Sequence, residues 1–197
     1  MMDRALRSLG LLTVMGSLAM ACSHGTVDGE LQGQEFGKVR TAFFDTYDNE
    51  DGGALTIFLY DYEWTCEEIQ QASDDGEELW PEDSDQVVGG LSIVLLKWNA
   101  DEYTFEVPTA TGAYKVFDFY NPSDYQNLDN GDLLAFLSVS FANESGAVEA
   151  YDFADNGAFE LIKLDLEKTV AGEFDVTLSD SDAPFAGKFK AEPCDIL

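Results

Sequence analysis

The sequence predicts an all-β domain, an antiparallel sandwich or barrel with one short helix. Three observations predict it. Short segments rich in β-branched and aromatic residues recur along the chain, with turn-forming clusters every ten or so residues. Val170–Leu178 alternates cleanly, placing Phe174, Val176 and Leu178 on one face and Glu173, Asp175 and Thr177 on the other. That period of two marks a half-buried strand. A hydrophobic content of 45% and an aromatic content of 13% exclude a disordered acidic chain.

The elements follow in order. Residues 1–21 read as an export signal, with Asp3, Arg4 and Arg7 in a charged head and an apolar stretch from Leu9 to Ala21. That stretch is too short to span a bilayer. The junction Ala21-Cys22 resembles the lipobox of bacterial lipoproteins, in which the cysteine is acylated and becomes the new N-terminus. The aliphatic residue usual three places before the cysteine stands one step further back here, at Leu18, with Ala19 in its place. Ala19-Met20-Ala21 also fits ordinary signal cleavage, which leaves a secreted or periplasmic protein as the alternative. In the resembled Gram-negative lipoproteins, a residue other than Asp after the cysteine implies outer-membrane sorting; here it is Ser23. Residues 22–37 read as a lipidated N-terminus and a flexible, glycine-rich tether of roughly 20 Å. Residues 38–197 read as one domain.

Within that domain, Val39–Phe44 and Leu55–Tyr60 flank the turn-forming run from Asp48 to Gly53 and predict a first hairpin. Cys66–Ala72 predicts a short helix, and the acidic Ser73–Asp85 a loop. Val87–Trp98 carries apolar residues on both faces, Leu91, Ile93 and Leu95 against Val94 and Leu96, and predicts a strand covered on both sides. Tyr103–Val107 and Ala113–Tyr120 predict further strands. Asn130-Gly131 predicts a turn before the strand Leu133–Ala142. Asp155-Asn156-Gly157 predicts a second turn, between strands Val148–Phe153 and Phe159–Leu166. Val170–Leu178 and Phe185–Ala191 are the last strands. The echo Ala171-Gly172-Glu173-Phe174 and Ala186-Gly187-Lys188-Phe189 reads as two arms of one hairpin, each with a glycine at a close approach.

From Cys22 onward the chain has eight basic and 38 acidic residues, a net charge of −30. Such a surface excludes nucleic acid as a partner, since binding phosphates needs clustered Lys and Arg. It also argues against general adhesion to anionic lipid, so membrane contact is expected through the lipid anchor only. The three cysteines fit export: if Cys22 carries lipid, Cys66 and Cys194 are left as an even pair.

Three pieces of the chain together resemble a group of exported bacterial lipoproteins. They are Leu55-Thr56-Ile57-Phe58-Leu59 followed by Cys66, then Gly112-Ala113-Tyr114, then the stretch Val170–Val176 with Gly187-Lys188-Phe189 and Cys194. The resemblance implies a β-rich extracytoplasmic domain with a Cys66–Cys194 disulfide. It implies no activity.

Catalytic constellations are sparse. His24 is the single histidine and lies in the expected tether, which excludes Ser-His-Asp and Cys-His machinery and a histidine-based zinc site. No phosphate-binding loop is present. Asp45, Asp48, Glu50 and Asp51 form a loose oxygen cluster, the weak calcium candidate, without the spacing of a strict calcium loop. No other cofactor is expected. Trp64, Trp80, Tyr120 and Tyr125 fall in expected loops, either as a platform for a carbohydrate or protein partner or as caps on the core. The reading is a non-enzymatic surface lipoprotein with a partner-binding or envelope role. The alternatives are a carboxylate-based polysaccharide hydrolase and a calcium-dependent adhesion module.

Overall fold

A computed structural model of the chain describes residues 24–49, 52–75, 87–118, 127–143 and 147–194. The expected signal segment and Cys22 lie outside the described residues, as does the acidic stretch 76–85. The strands are β1 (Gly25–Leu31), β2 (Gln34–Glu35), β3 (Thr41–Asn49), β4 (Gly52–Tyr60), β5 (Val88–Asn99), β6 (Thr104–Glu106), β7 (Gly112–Val116), β8 (Leu133–Ala142), β9 (Val148–Asp165), β10 (Thr169–Leu178) and β11 (Pro184–Pro193). One helix, α1 (Cys66–Asp75), lies between β4 and β5.

Seven strands close into a ring. β3, β4, β5, β8, β9, β10 and β11 pair in that order, each antiparallel to the next. β11 then returns to β3 through Glu192↔Phe43 and Pro193↔Phe44. This last pairing is parallel by necessity, because an odd number of alternating strands meets its own start in the same direction. This seam joins the two ends of the meander, which would otherwise both be open edges. The all-β expectation holds, and between sandwich and barrel the pairing gives a barrel.

Two short strands fill places where the ring splays. β7 wedges between β8 and β9, with Lys115↔Leu134 on one side and Tyr114↔Phe159 on the other. β1 runs along β11 from Gly25↔Phe189 to Gly29↔Phe185. This corrects the tether expected over residues 22–37: from Gly25 the chain is part of the sheet. Val27 and Leu31 are buried in the core. Their two apolar side chains were too few, among glycines and acids, to register as a period.

A second correction concerns Asp155-Asn156-Gly157. The expected turn is a bend inside one continuous strand, β9. Its first part pairs with β8 and its second with β10 and β7. Gly157 has φ 129°, and a Cβ there would stand 2.4 Å from the Asp175 carbonyl oxygen. The glycine allows a change of partner here, not a reversal of direction.

The barrel is filled by side chains. Leu55, Ile57 and Leu59 of β4, Leu91, Ile93 and Leu95 of β5, and Leu137, Val139 and Phe141 of β8 meet Phe174, Val176, Phe185 and Phe189 in one buried cluster. The echoed tetrapeptides are the two arms of a hairpin, as expected. Gly172 lies opposite Phe189, and Gly187 opposite Phe174. Each ring packs over the partner strand's glycine, where a Cβ would come within 3.0 Å and 2.6 Å of it respectively.

Two smaller clusters lie outside the ring. Val94, Leu96 and Trp98 on the outer face of β5 pack with Phe105, Phe117 and Leu134. β5 is therefore covered on both faces, as its sequence predicts. The second cluster seats α1, with Ile69 against Phe43 and Cys194 and flanked by Phe58, Tyr60 and Trp64. Phe43 and Phe58 stack with ring centroids 5.0 Å apart. Thr65 and Glu68 form a capping box: the Thr65 N–H donates to Glu68 Oε2 at 2.8 Å, and the Glu68 N–H to Thr65 Oγ1 at 3.2 Å. Those bonds from Thr65 hold the Glu68 carboxyl below its usual range. The Cys66–Cys194 disulfide, Cα atoms 5.7 Å apart, ties the start of α1 to the end of β11.

Candidate functional site

The outer surface of the barrel is covered unevenly. Over β3, β4, β5 and β8 it carries the two apolar clusters. Over the stretch where β7, β9, β10, β11 and β1 lie side by side, the outward side chains that face one another are short or charged and stand in two cross-strand rows. One row runs Ala113, Glu160, Glu173, Lys188 and Thr26; the next runs Lys115, Ala158, Asp175, Ala186 and Asp28. The short side chains of Ala113, Ala158 and Ala186, with Gly187, leave an open groove of about 500 Å³. Glu160, Glu173, Asp175 and Lys188 stand around it.

The local electrostatics follow from the register. Glu160 and Glu173 are direct cross-strand partners, so their Cβ atoms lie about 5 Å apart. Like charges in that position repel. Lys188, on the other side of Glu173, approaches it at 3.5 Å and offsets part of the repulsion. All three side chains reach solvent. An apolar floor with carboxylates at its rim suits a ligand that is cationic or rich in hydroxyls.

Other charged groups serve the fold. Asp152 is 1% exposed. Its Oδ1 accepts from the N–H groups of Phe153 and Asp180, and its Oδ2 from the N–H and hydroxyl of Ser181. It thereby pins the β10–β11 turn to β9. Asp61 accepts from the Gly89 N–H at 2.8 Å and the Gly37 N–H at 3.3 Å. Burial raises its carboxyl above the usual range, and those two bonds oppose the shift. Burial likewise pushes the hydroxyls of Tyr60 and Tyr114 up to about 12.

The sequence-predicted residues divide. Cys66 and Cys194 are joined, as the resemblance implies. Asp45 and Asp48 both lie on β3, three residues apart, so they point to opposite faces of the strand. Asp45 is buried and its Oδ1 accepts the Thr46 N–H at 2.7 Å. Glu50 and Asp51 lie outside the described residues, as do Trp80, Tyr120 and Tyr125. Among the described residues, no three His, Cys, Asp or Glu side chains are grouped to hold a metal ion. Trp64 is half-buried against the α1 cluster and the Tyr62 ring, so it caps packing there and is no open platform. Its indole Nε1 is buried without a hydrogen-bond partner, a cost of about 1–3 kcal/mol that the packing of the ring must outweigh.

The groove residues were not read as a site from sequence. The signal was the alternation of small with charged residues at Ala158/Glu160 and Ala186/Lys188. Each pair is legible within its strand, but only the pairing of β9 to β10 to β11 makes a site of them. No protein-family model, no curated protein and no solved structure matches this chain.

Proposed function

We propose that this protein is a non-enzymatic lipoprotein of the bacterial outer membrane, anchored by lipid on Cys22, whose barrel binds a basic segment of a protein partner in the groove over β9, β10 and β11. The observation that carries the reading is the bare, acid-rimmed groove on a barrel whose opposite wall is covered. The export-like N-terminus and the Cys66–Cys194 disulfide support an oxidising location outside the cytoplasm. The anchor is tested by expressing the full chain with a labelled fatty acid: label enters the protein and is lost in Cys22→Ser. A soluble, unlabelled mature protein overturns the anchor and leaves a secreted or periplasmic protein. The groove is tested with a fluorescent oligolysine peptide. Ala186→Trp and Asp175→Asn weaken binding, while Asp101→Asn, outside the groove, does not. Equal effects from all three place the binding elsewhere.

A second reading rests on the Glu160–Glu173 pair. The two side chains are cross-strand neighbours at one groove, and retaining glycosidases use a pair of facing carboxylates as nucleophile and acid. Hydrolysis of a chromogenic oligosaccharide that disappears in both Glu160→Gln and Glu173→Gln would support this reading in place of the first.

A further inference from the structure

We infer that the closed end of the β9–β10 hairpin and the adjoining C-terminal end of β11 rest against a phospholipid bilayer, with the groove over the middle of these strands left open. The inference rests on the lipid anchor proposed above. Three observations carry it.

The first is the length of chain between anchor and barrel. The Lys190 N–H donates to the His24 carbonyl at 2.7 Å, so the chain joins the sheet beside Lys190. Cys22 is two residues earlier, a reach of about 7 Å at most. With strand β1 where a tether was expected, an acyl chain on Cys22 holds this end of the barrel at the lipid surface.

The second is charge. Of the eight basic residues from Cys22 onward, four stand toward this end: Arg40, Lys163, Lys168 and Lys190. Lys163 and Lys190 flank Ala171 in one cross-strand row, one outward step from the row of Glu160, Glu173 and Lys188. Arg40 and His24 line a small cavity with Glu63 and Glu192. The carboxylates of Asp165, Glu167, Glu192 and Glu63 stand among these cations, so this end is close to neutral, whereas the groove beside it is rimmed by Glu160, Glu173 and Asp175. From Cys22 onward the net charge is −30, so anionic headgroups repel a near-neutral end less than the acid-rimmed groove, and lysines near such a surface are attracted to it.

The third is exposed aliphatic surface. Ile162 is 57% exposed and Leu166 is 40% exposed. Leu161 pairs with Gly172 and Lys163 with Ala171, so Ile162 is the unpaired residue of a bulge. Leu166 stands in the turn between β9 and β10. Aliphatic side chains flanked by lysines suit the boundary between headgroups and acyl chains.

The test uses the full acylated chain in vesicles of phosphatidylethanolamine and phosphatidylglycerol. Lysines are acetylated with and without vesicles and read by mass spectrometry, with the fatty-acid label on Cys22 followed in the same sample. Lys163, Lys168 and Lys190 should lose reactivity severalfold on vesicles, while Lys97 and Lys115 should not. In Lys163→Glu/Lys190→Glu, with the lipid label retained, the protection of Lys168 should fall. Label present with all lysines equally reactive overturns the orientation and spares the anchor. Label absent overturns the anchor and the orientation together.

Discussion

The two walls of this barrel are built from the same kind of strand and finished in different ways. Over β3, β4, β5 and β8 the outward positions are Phe43, Phe58, Val94, Leu96, Leu134 and Phe136, and they are roofed by α1 or by loop side chains. At the groove the outward positions of β9, β10 and β11 are Ala158, Glu160, Glu173, Asp175, Ala186 and Lys188, and no side chain of the described residues roofs them. The inner faces do not differ in this way, since both walls feed one apolar cluster. The ring supplies stability from inside everywhere; the outer face is free to specialise. One wall spends that freedom on a second layer of packing, and the other presents a groove.

The largest test of this contrast is the disulfide, which fastens the roof to the ring. Cys194→Ser, or reduction of the native protein, should destabilise by up to about 5 kcal/mol, because the bond closes a loop spanning 128 residues. Thermal melts with and without reductant check it. An unchanged melting temperature would show that the roof stands without its fastening.

Next in size is Asp152, which anchors the end of the bare wall. Asp152→Ala leaves the N–H groups of Asp180 and Ser181 without their acceptor and should destabilise by about 3 kcal/mol. Asp152→Asn, which keeps an acceptor oxygen, should recover part of the loss. Urea unfolding of the two variants measures the difference.

A smaller effect is expected in alkali. Tyr60 sits under the roof and Tyr114 packs inside, against Phe159. Both have hydroxyl pKa values raised by burial from 10.0 to about 12. The folded state therefore favours the neutral phenol. Its contribution is complete below about pH 10 and is lost as pH rises through 12. Tyr60→Phe and Tyr114→Phe should each flatten the fall in stability over that window, as followed by circular dichroism.

The smallest effect belongs to the groove. Glu160→Gln removes one of two facing carboxylates on an exposed surface, so stability should change by no more than about 0.5 kcal/mol, toward greater stability. A loss of several kcal/mol would mean that the bare wall is structural after all.

Much of the ring was legible in the sequence because its signals are local. Alternation in Val170–Leu178 and the two-faced apolar pattern of Val87–Trp98 give the strands their true inner and outer faces. The helix is legible too, starting at Cys66 as expected and running to Asp75. The errors arose where partners decide. β1 reads as linker because its two core residues gain meaning only when β11 lies beside them. The run Asp155-Asn156-Gly157 has turn composition, but β8, β7 and β10 hold both sides of it in one strand. The groove was illegible for the same reason: Glu160 and Glu173 are thirteen positions apart in the chain, and only the register makes them neighbours.

The parallel seam between β11 and β3 has a consequence for the order of events in folding. Every other joint in the ring links strands that are consecutive in the chain, apart from β5 to β8. The seam instead links Phe43 and Phe44 to Glu192 and Pro193, with the Cys194 N–H donating to the Phe44 carbonyl at 2.9 Å. Contacts between segments this far apart form late, since the entropy of closing the long loop is lost before any contact repays it. The meander from β3 to β10 has time to assemble as an open, curling sheet. The ring cannot shut until the last strand has emerged, and Cys66 and Cys194 meet only then. Disulfide formation is therefore a timestamp for the finished barrel, not a guide to it.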